Sequence, residues 1–225
     1  MREEYGKLRE LIARMGSLAE EMIQGAITSL VEGDIDLARS IIEKDETMDR
    51  LDVEVDELCL KILALYEPKA VDLRYVVTAL RIINDLERIG DHCVNICEEV
   101  VEISKLPRIK PYIDLPRMAE HTRGMLRDAV EAYFSRDISL AVDVMKRDNF
   151  VDDLNNQVIR ELLTYLVEDL KKTKVAISLM FISNNFERIA DHATNIAELV
   201  YFMVRGKIVR HSIWEKEEGE EDTRD

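Results

Sequence analysis

Hydrophobic residues return every three to four positions over long stretches of this chain, the period of an amphipathic helix. Between about Val71 and Ser104, the residues Ile82, Leu86, Ile89, Cys93, Ile96, Val100 and Ile103 form one apolar stripe. Between about Lys172 and Arg205, Ile182, Phe186, Ile189, Ala193, Ile196 and Val200 repeat it in the same phase. A first helix is predicted from about Glu3 to Glu32, ending at Gly33-Asp34, where Asp34 suits the N-cap of the next. That second helix runs to about Tyr66 and stops before Pro68. After the third comes the only proline-rich stretch, from Pro107 to Pro116. The second half mirrors the first, with helices from about Pro116 to Ser135, Asp137 to Asp169 and Lys172 to Arg205, and Gly206 as the final C-cap.

The two halves also share their wording. Glu87-Arg88-Ile89-Gly90-Asp91-His92 returns one hundred residues later as Glu187-Arg188-Ile189-Ala190-Asp191-His192. Ile82, Asn84, Asn95, Ile96, Glu98 and Val100 return as Ile182, Asn184, Asn195, Ile196, Glu198 and Val200. The expected fold is all-α: two tandem, pseudo-repeated antiparallel three-helix bundles built from six long helices. The expected boundaries are 1–106 for the first bundle, 107–115 for a linker, 116–210 for the second bundle and 211–225 for an acidic, disordered tail.

The repeat singles out Glu87 and Asp91, with Glu187 and Asp191, as carboxylates one turn apart on a helix. The preceding long helix of each half carries a matching pair, Asp45 and Asp49 in the first, Asp148 and Asp152 in the second. Folding back about a turn near Pro68 brings Asp49 level with Glu87 and Asp45 level with Asp91. A turn between Asp169 and Leu170 does the same for Asp152 with Glu187 and Asp148 with Asp191. Four carboxylates at one level repel unless a cation or a proton relieves them. An all-oxygen set suits hard cations such as Mg²⁺ or Mn²⁺, and bridging carboxylates also gather iron. Asn95 and Asn195, one turn further on, are placed to support such ligands from a second shell. The competing reading, a solvated acidic face, stays open, because the second helix is dense with charge throughout.

His92 and His192 lie about 100° round the helix from the neighbouring aspartate and are expected to flank the site or sit in solvent. Cys93 and Cys97 have zinc-like spacing, but their counterparts Ala193 and Ala197 point to core packing. Arg88 and Arg188 are expected to make surface ion pairs.

Composition narrows the function classes. The 225 residues are 47% hydrophobic and 34% charged, with 8 Gly and 4 Pro, which suits a helical chain able to bury a substantial core. A net charge of −15 argues against a nucleic-acid partner. Three cysteines without framework spacing fit a reducing compartment, and no leader or run of about 20 apolar residues is apparent. No nucleophile constellation or glycine-rich phosphate loop is present, so phosphate is not expected to be bound as a substrate, and no organic cofactor is expected.

At its four acid-x-x-x-Asp motifs the chain resembles the PhoU family, over nearly its whole length up to the acidic tail. The resemblance implies a non-enzymatic cytoplasmic regulator of phosphate uptake, often a homodimer, working at the inner face of the membrane through its partners. Those implied partners are the ATPase subunit of the phosphate ABC transporter and the phosphate-sensing histidine kinase, with the starvation response held off when phosphate is plentiful. It also implies surface metal, of the kind Fe, Mn, Mg or Zn, at the acidic motifs. Two other readings remain: a metal-storage or di-iron carboxylate bundle, and a metal-free helical scaffold. Di-iron bundles use Glu-x-x-His, whereas the third residue after Glu87 is Gly90 and after Glu187 is Ala190.

Overall fold

A computed structural model describes residues 2–207, and the acidic tail expected at 211–225 lies outside them. The described residues are helical in the expected order: α1 (Arg2–Glu32), α2 (Ile35–Glu43), α3 (Asp45–Tyr66), α4 (Val71–Ile103), α5 (Asp114–Ser135), α6 (Ile138–Glu168) and α7 (Thr173–Arg205). A single 3₁₀ turn, Leu170–Lys172, links the last two. The helix starts at Asp34 and Asp137 have the same physical cause. Each side chain accepts a backbone N–H three residues on, from Leu37 and from Leu140, supplying an acceptor to a donor the helix leaves open.

The expected second helix is divided. At Lys44 the backbone N–H reaches the carbonyl of Ile41, three residues back, and this tightened turn separates α2 from α3. Asp45 thereby becomes the first residue of α3, in an acidic N-terminal turn with Glu46. Carboxylates are favoured at that end by the helix dipole.

Helices α3, α4, α7 and α6 lie side by side in that order, while α1 packs against α3 and α4 and α5 packs against α6 and α7. The short α2 lies against α1 and α4. At Gly25 of α1 an added Cβ would come within 2.3 Å of Ile41 of α2, so the absent side chain is what lets these helices approach. The halves share one continuous hydrophobic core.

The central pair α4 and α7 runs antiparallel. Arg74 Nε donates to the Met203 carbonyl at 2.8 Å, His192 meets Asp85, His92 meets Asn185, and Lys174 pairs with Glu102. Residue numbers rise along one helix as they fall along the other, so the repeats are related by a pseudo-twofold near Arg88 and Arg188. Tyr5, Tyr75 and Tyr133 stack through α1, α4 and α5, with centroid separations of 5.9 and 4.7 Å. The Tyr133 hydroxyl donates to the Tyr75 carbonyl at 3.2 Å, which satisfies it inside the core.

The proline-rich segment is fastened to both halves. Arg108 donates to the Val31 carbonyl at the end of α1 and lies over the Tyr112 ring. Lys110 is buried and paired with Glu161 of α6. A buried ammonium needs such a partner, so the pair fixes where the segment crosses the second half.

Phe186 is fully buried on α7. Phe186→Ala is expected to cost about 3–5 kcal/mol, and Leu86→Ala at the equivalent place about 2–5 kcal/mol. Urea unfolding checks both, as a lower midpoint with an unchanged slope.

Candidate functional site: paired carboxylate clusters

Each expected acidic pair is brought against its partner helix. Asp45 is half-buried and feels Asp49 and Asp91, while Glu87 feels Asp91, Asp52 and Asp49. In the second half Glu187 feels Asp191 and Asp152. Asp148 is itself buried on α6. At Gly90 of α4 an added Cβ would sit 3.4 Å from Met48 Cγ and 3.7 Å from Asp45 Oδ1, ordinary contact distances that place this turn directly against the start of α3.

Burial raises the Glu87 carboxyl above the ordinary range, and Asp91 adds to it against the lowering effect of Arg88. Glu187 is raised by burial and then by Asp191, against Arg188. Asp45 is raised by burial, then by Asp49 and Asp91. The repulsion is partly relieved by arginine. Arg88 donates to Asp91 at 2.9 Å and lies 3.5 Å from Glu87, and Arg188 repeats this with Asp191 at 2.9 Å and Glu187 at 3.4 Å. The expected surface ion pairs are therefore present, and they bind the same carboxylates that would hold a cation.

Asp52 was not singled out by its spacing, although it belongs to this group. It lies one turn beyond Asp49, its carboxyl is raised by burial, Asp56 and Asp49, and its Oδ1 is buried with no hydrogen-bond partner. Its counterpart in the second half is Asn155. That amide is satisfied: Ser183 Oγ donates to Asn155 Oδ1 at 2.6 Å, and Asn155 Nδ2 donates to Asn184 Oδ1 at 3.0 Å. The clusters thus differ by one acid. The sequence signal was present, because Asp45, Asp49 and Asp52 follow helical spacing, but it was hidden among the other acids of α3.

Three features of this chemistry fit a hard divalent cation: oxygen-only donors, carboxyls biased towards protonation, and the orphaned Asp52 oxygen. As the side chains stand, no group of three or more His, Cys, Asp or Glu among the described residues is arranged to hold a metal ion. Arg88 and Arg188 would have to release oxygens for one to enter.

The polar residues next to the acids go elsewhere. Asn95 Nδ2 points to Asn185 Oδ1 at 3.5 Å and Asn195 Nδ2 donates to Asp85 Oδ1 at 3.2 Å, both across the α4–α7 seam rather than towards the acids. His92 and His192 are half-buried in that seam, not in solvent. The repeat drew attention to the histidines but not to their acceptors, since Asp85 and Asn185 differ between the copies. Cys93 and Cys97 are fully buried and burial pushes both thiols up, Cys97 to about 12, as core residues behave.

The PhoU domain family model matches residues 12–100 and 115–200, one match for each set of paired clusters. The chain belongs to the PhoU family. It is 42% identical over 205 residues to the phosphate-specific transport system accessory protein PhoU homolog of Zymomonas mobilis, covering 91% of this chain and 86% of that one. In structure it matches PhoU from Pseudomonas aeruginosa with TM-score 0.88 and 31% identity, over 92% of this chain and 99% of that one. It also matches the phosphate transport system regulatory protein PhoU from Streptococcus pneumoniae with TM-score 0.85 and 26% identity, over 91% and 97%. No helix among the described residues is long and apolar enough to cross a membrane.

The raised carboxyls carry a pH signature. A carboxyl raised in the folded state binds more protons folded than unfolded, so stability falls as pH rises from the ordinary carboxylate range through the raised values. Asp45→Asn, Glu87→Gln and Glu187→Gln combined should therefore raise the metal-free melting temperature at pH 7. A gain near 1 kcal/mol would appear as about 2–4 °C in a chain of this size. The gain should shrink as pH falls through the raised values towards the ordinary carboxylate range, where the folded wild-type groups take up protons. Circular dichroism melts in chelator across that range check the sign.

Proposed function

We propose that this PhoU-family protein is a non-enzymatic accessory regulator of phosphate transport, and that its acidic clusters are metal-binding docking faces. It works in the cytoplasm as a homodimer, between the ATPase subunit of a phosphate ABC transporter and a phosphate-sensing histidine kinase. When phosphate is plentiful it restrains uptake and keeps the starvation response off. The observation that carries this reading is the family match in both halves, each retaining its paired carboxylates. The relatives' names, accessory and regulatory proteins of phosphate transport, support the physiological role.

Asp45, Asp49, Glu87 and Asp91 would hold metal in the first half, with Asp52 beside them. Asp148, Asp152, Glu187 and Asp191 would do so in the second. The bound ion, from among Fe, Mn, Mg and Zn, would cancel repulsion and tie the two helices of each hairpin together. The residues themselves set the conditions: Arg88 and Arg188 compete for the oxygens, and burial disfavours leaving the carboxylates charged and unpaired.

Metal that binds only the folded protein stabilises it by linkage, about 2.7 kcal/mol at one hundred times the dissociation constant. That amount shifts the melting temperature by roughly 5–10 °C. Thermal melts with Fe, Mn and Mg should show such a rise in wild type and lose it in Asp91→Ala with Asp191→Ala. A flat response to all three contradicts the metal reading. Co-purification with the transporter ATPase or the kinase sensor region, and restoration of phosphate control in cells lacking their own regulator, test the adaptor role. Failure in both contradicts it. Iron-dependent oxygen consumption by the pure protein would instead favour a di-iron enzyme.

A further inference from the structure

The seam between α4 and α7 carries polar chemistry that the acidic clusters do not use. His92 and His192 face each other across it with ring centroids 5.4 Å apart and planes tilted by 35°. Each reaches over to the other helix. His92 Nδ1 is 2.8 Å from Asn185 Oδ1, and His192 Nδ1 is 2.8 Å from Asp85 Oδ1.

These contacts decide which nitrogens carry protons. An ionised aspartate can only accept, so His192 must donate through Nδ1–H. Asn185 is oriented by its own amide, since Nδ2 donates to the Phe181 carbonyl at 2.9 Å and Oδ1 also faces Asn95 Nδ2. Turning the amide over would set oxygen against oxygen and nitrogen against nitrogen. Oδ1 therefore stays towards His92, which also donates through Nδ1–H. In each neutral ring the lone pair is then on Nε2, and neither Nε2 has a hydrogen-bond partner among the described residues.

We propose that His92 and His192 together bind a borderline divalent cation such as zinc through their two Nε2 atoms. The site is separate from the acidic clusters in place and in donor type. Imidazole nitrogens suit zinc, nickel and copper rather than magnesium or calcium. Two imidazoles sharing a tetrahedral zinc at about 2.0–2.1 Å have ring centres roughly 5–6 Å apart, the spacing the seam provides. The outer contacts are those that orient zinc-binding histidines elsewhere: a carboxylate on one Nδ1–H and an amide oxygen on the other. Asn95 and Asn195 hold those acceptors from the neighbouring turn.

The charges nearby permit it. Arg188 is the cation that would oppose an ion here, and it is engaged by Glu187 and Asp191. Water completes the coordination. Because one ligand comes from each repeat, the ion would clip the halves together at their pseudo-twofold.

Zinc and Mn²⁺ titrations of the full chain, with X-ray absorption of the zinc form, separate this site from the acidic ones. Wild type should show imidazole scattering from two histidines. His92→Gln with His192→Gln should weaken zinc at least tenfold while Mn²⁺ binding is unchanged, and Asp85→Asn should weaken zinc by about 10–100-fold through the lost carboxylate. Asp91→Ala with Asp191→Ala should do the reverse, removing Mn²⁺ and keeping the imidazole signature. Unchanged zinc affinity in the glutamine pair, or zinc lost only with the aspartates, overturns the proposal and leaves the histidines as a polar seam. If the glutamine pair does not fold, wild type still decides the matter. Zinc should shield His92 and His192, but not His121, from diethylpyrocarbonate, and equal labelling with and without zinc overturns the site.

Discussion

The antiparallel packing of α4 on α7 is the constraint on which the rest depends. Each of these 33-residue helices serves two roles. One face completes the core of its own half, and the side facing the other half meets its counterpart across the pseudo-twofold. Arg74 on Met203 and Lys174 on Glu102 set the two ends of the contact. The histidine bonds to Asp85 and Asn185 set its middle. With that register fixed, the hairpins α3–α4 and α6–α7 extend to either side, each carrying its own acidic pairs.

Charge explains how such a face can exist in a stable protein. The first half gathers Asp45, Asp49, Asp52, Glu87 and Asp91, and the carboxyls of Asp45, Asp52 and Glu87 are raised by burial and mutual repulsion. Arg88 and Arg188 supply local relief, but they are largely exposed, and exposed pairs contribute little. The remaining cost is carried by the continuous apolar core beneath. Retaining groups that disfavour the fold is the pattern expected where function requires them. The single acid by which the clusters differ, Asp52 against Asn155, makes them chemically unequal despite their common origin.

Much of the fold was legible because its signals are local. The stripe from Ile82 to Ile103, the caps at Asp34 and Asp137, and the stop at Gly206 each depend on residues within a turn or two. The split at Lys44 was not legible, because no proline or glycine marks it and the apolar period continues through. The level of the acidic pairs was legible as well, since helix rise and turn position set it, and Glu87 does feel Asp49 as Asp45 feels Asp91. Asn95 and Asn195 were misplaced for the opposite reason. A helix position one turn beyond an aspartate gives the direction of Cβ but not the neighbour that its amide reaches.

By itself, the sequence determined the helices, the duplication, the hairpin heights and the family, because all of these rest on periodicity and repetition along one chain. Only the tertiary structure decided what the two copies do to each other. It turned His92 and His192 inwards to share a seam, gave one an aspartate and the other an asparagine, and pinned the proline-rich segment through Lys110. These outcomes follow from which helix faces meet between halves one hundred residues apart. Contacts at that separation leave no spacing in the chain, since many pairings satisfy the same apolar stripe and packing across the whole core selects one.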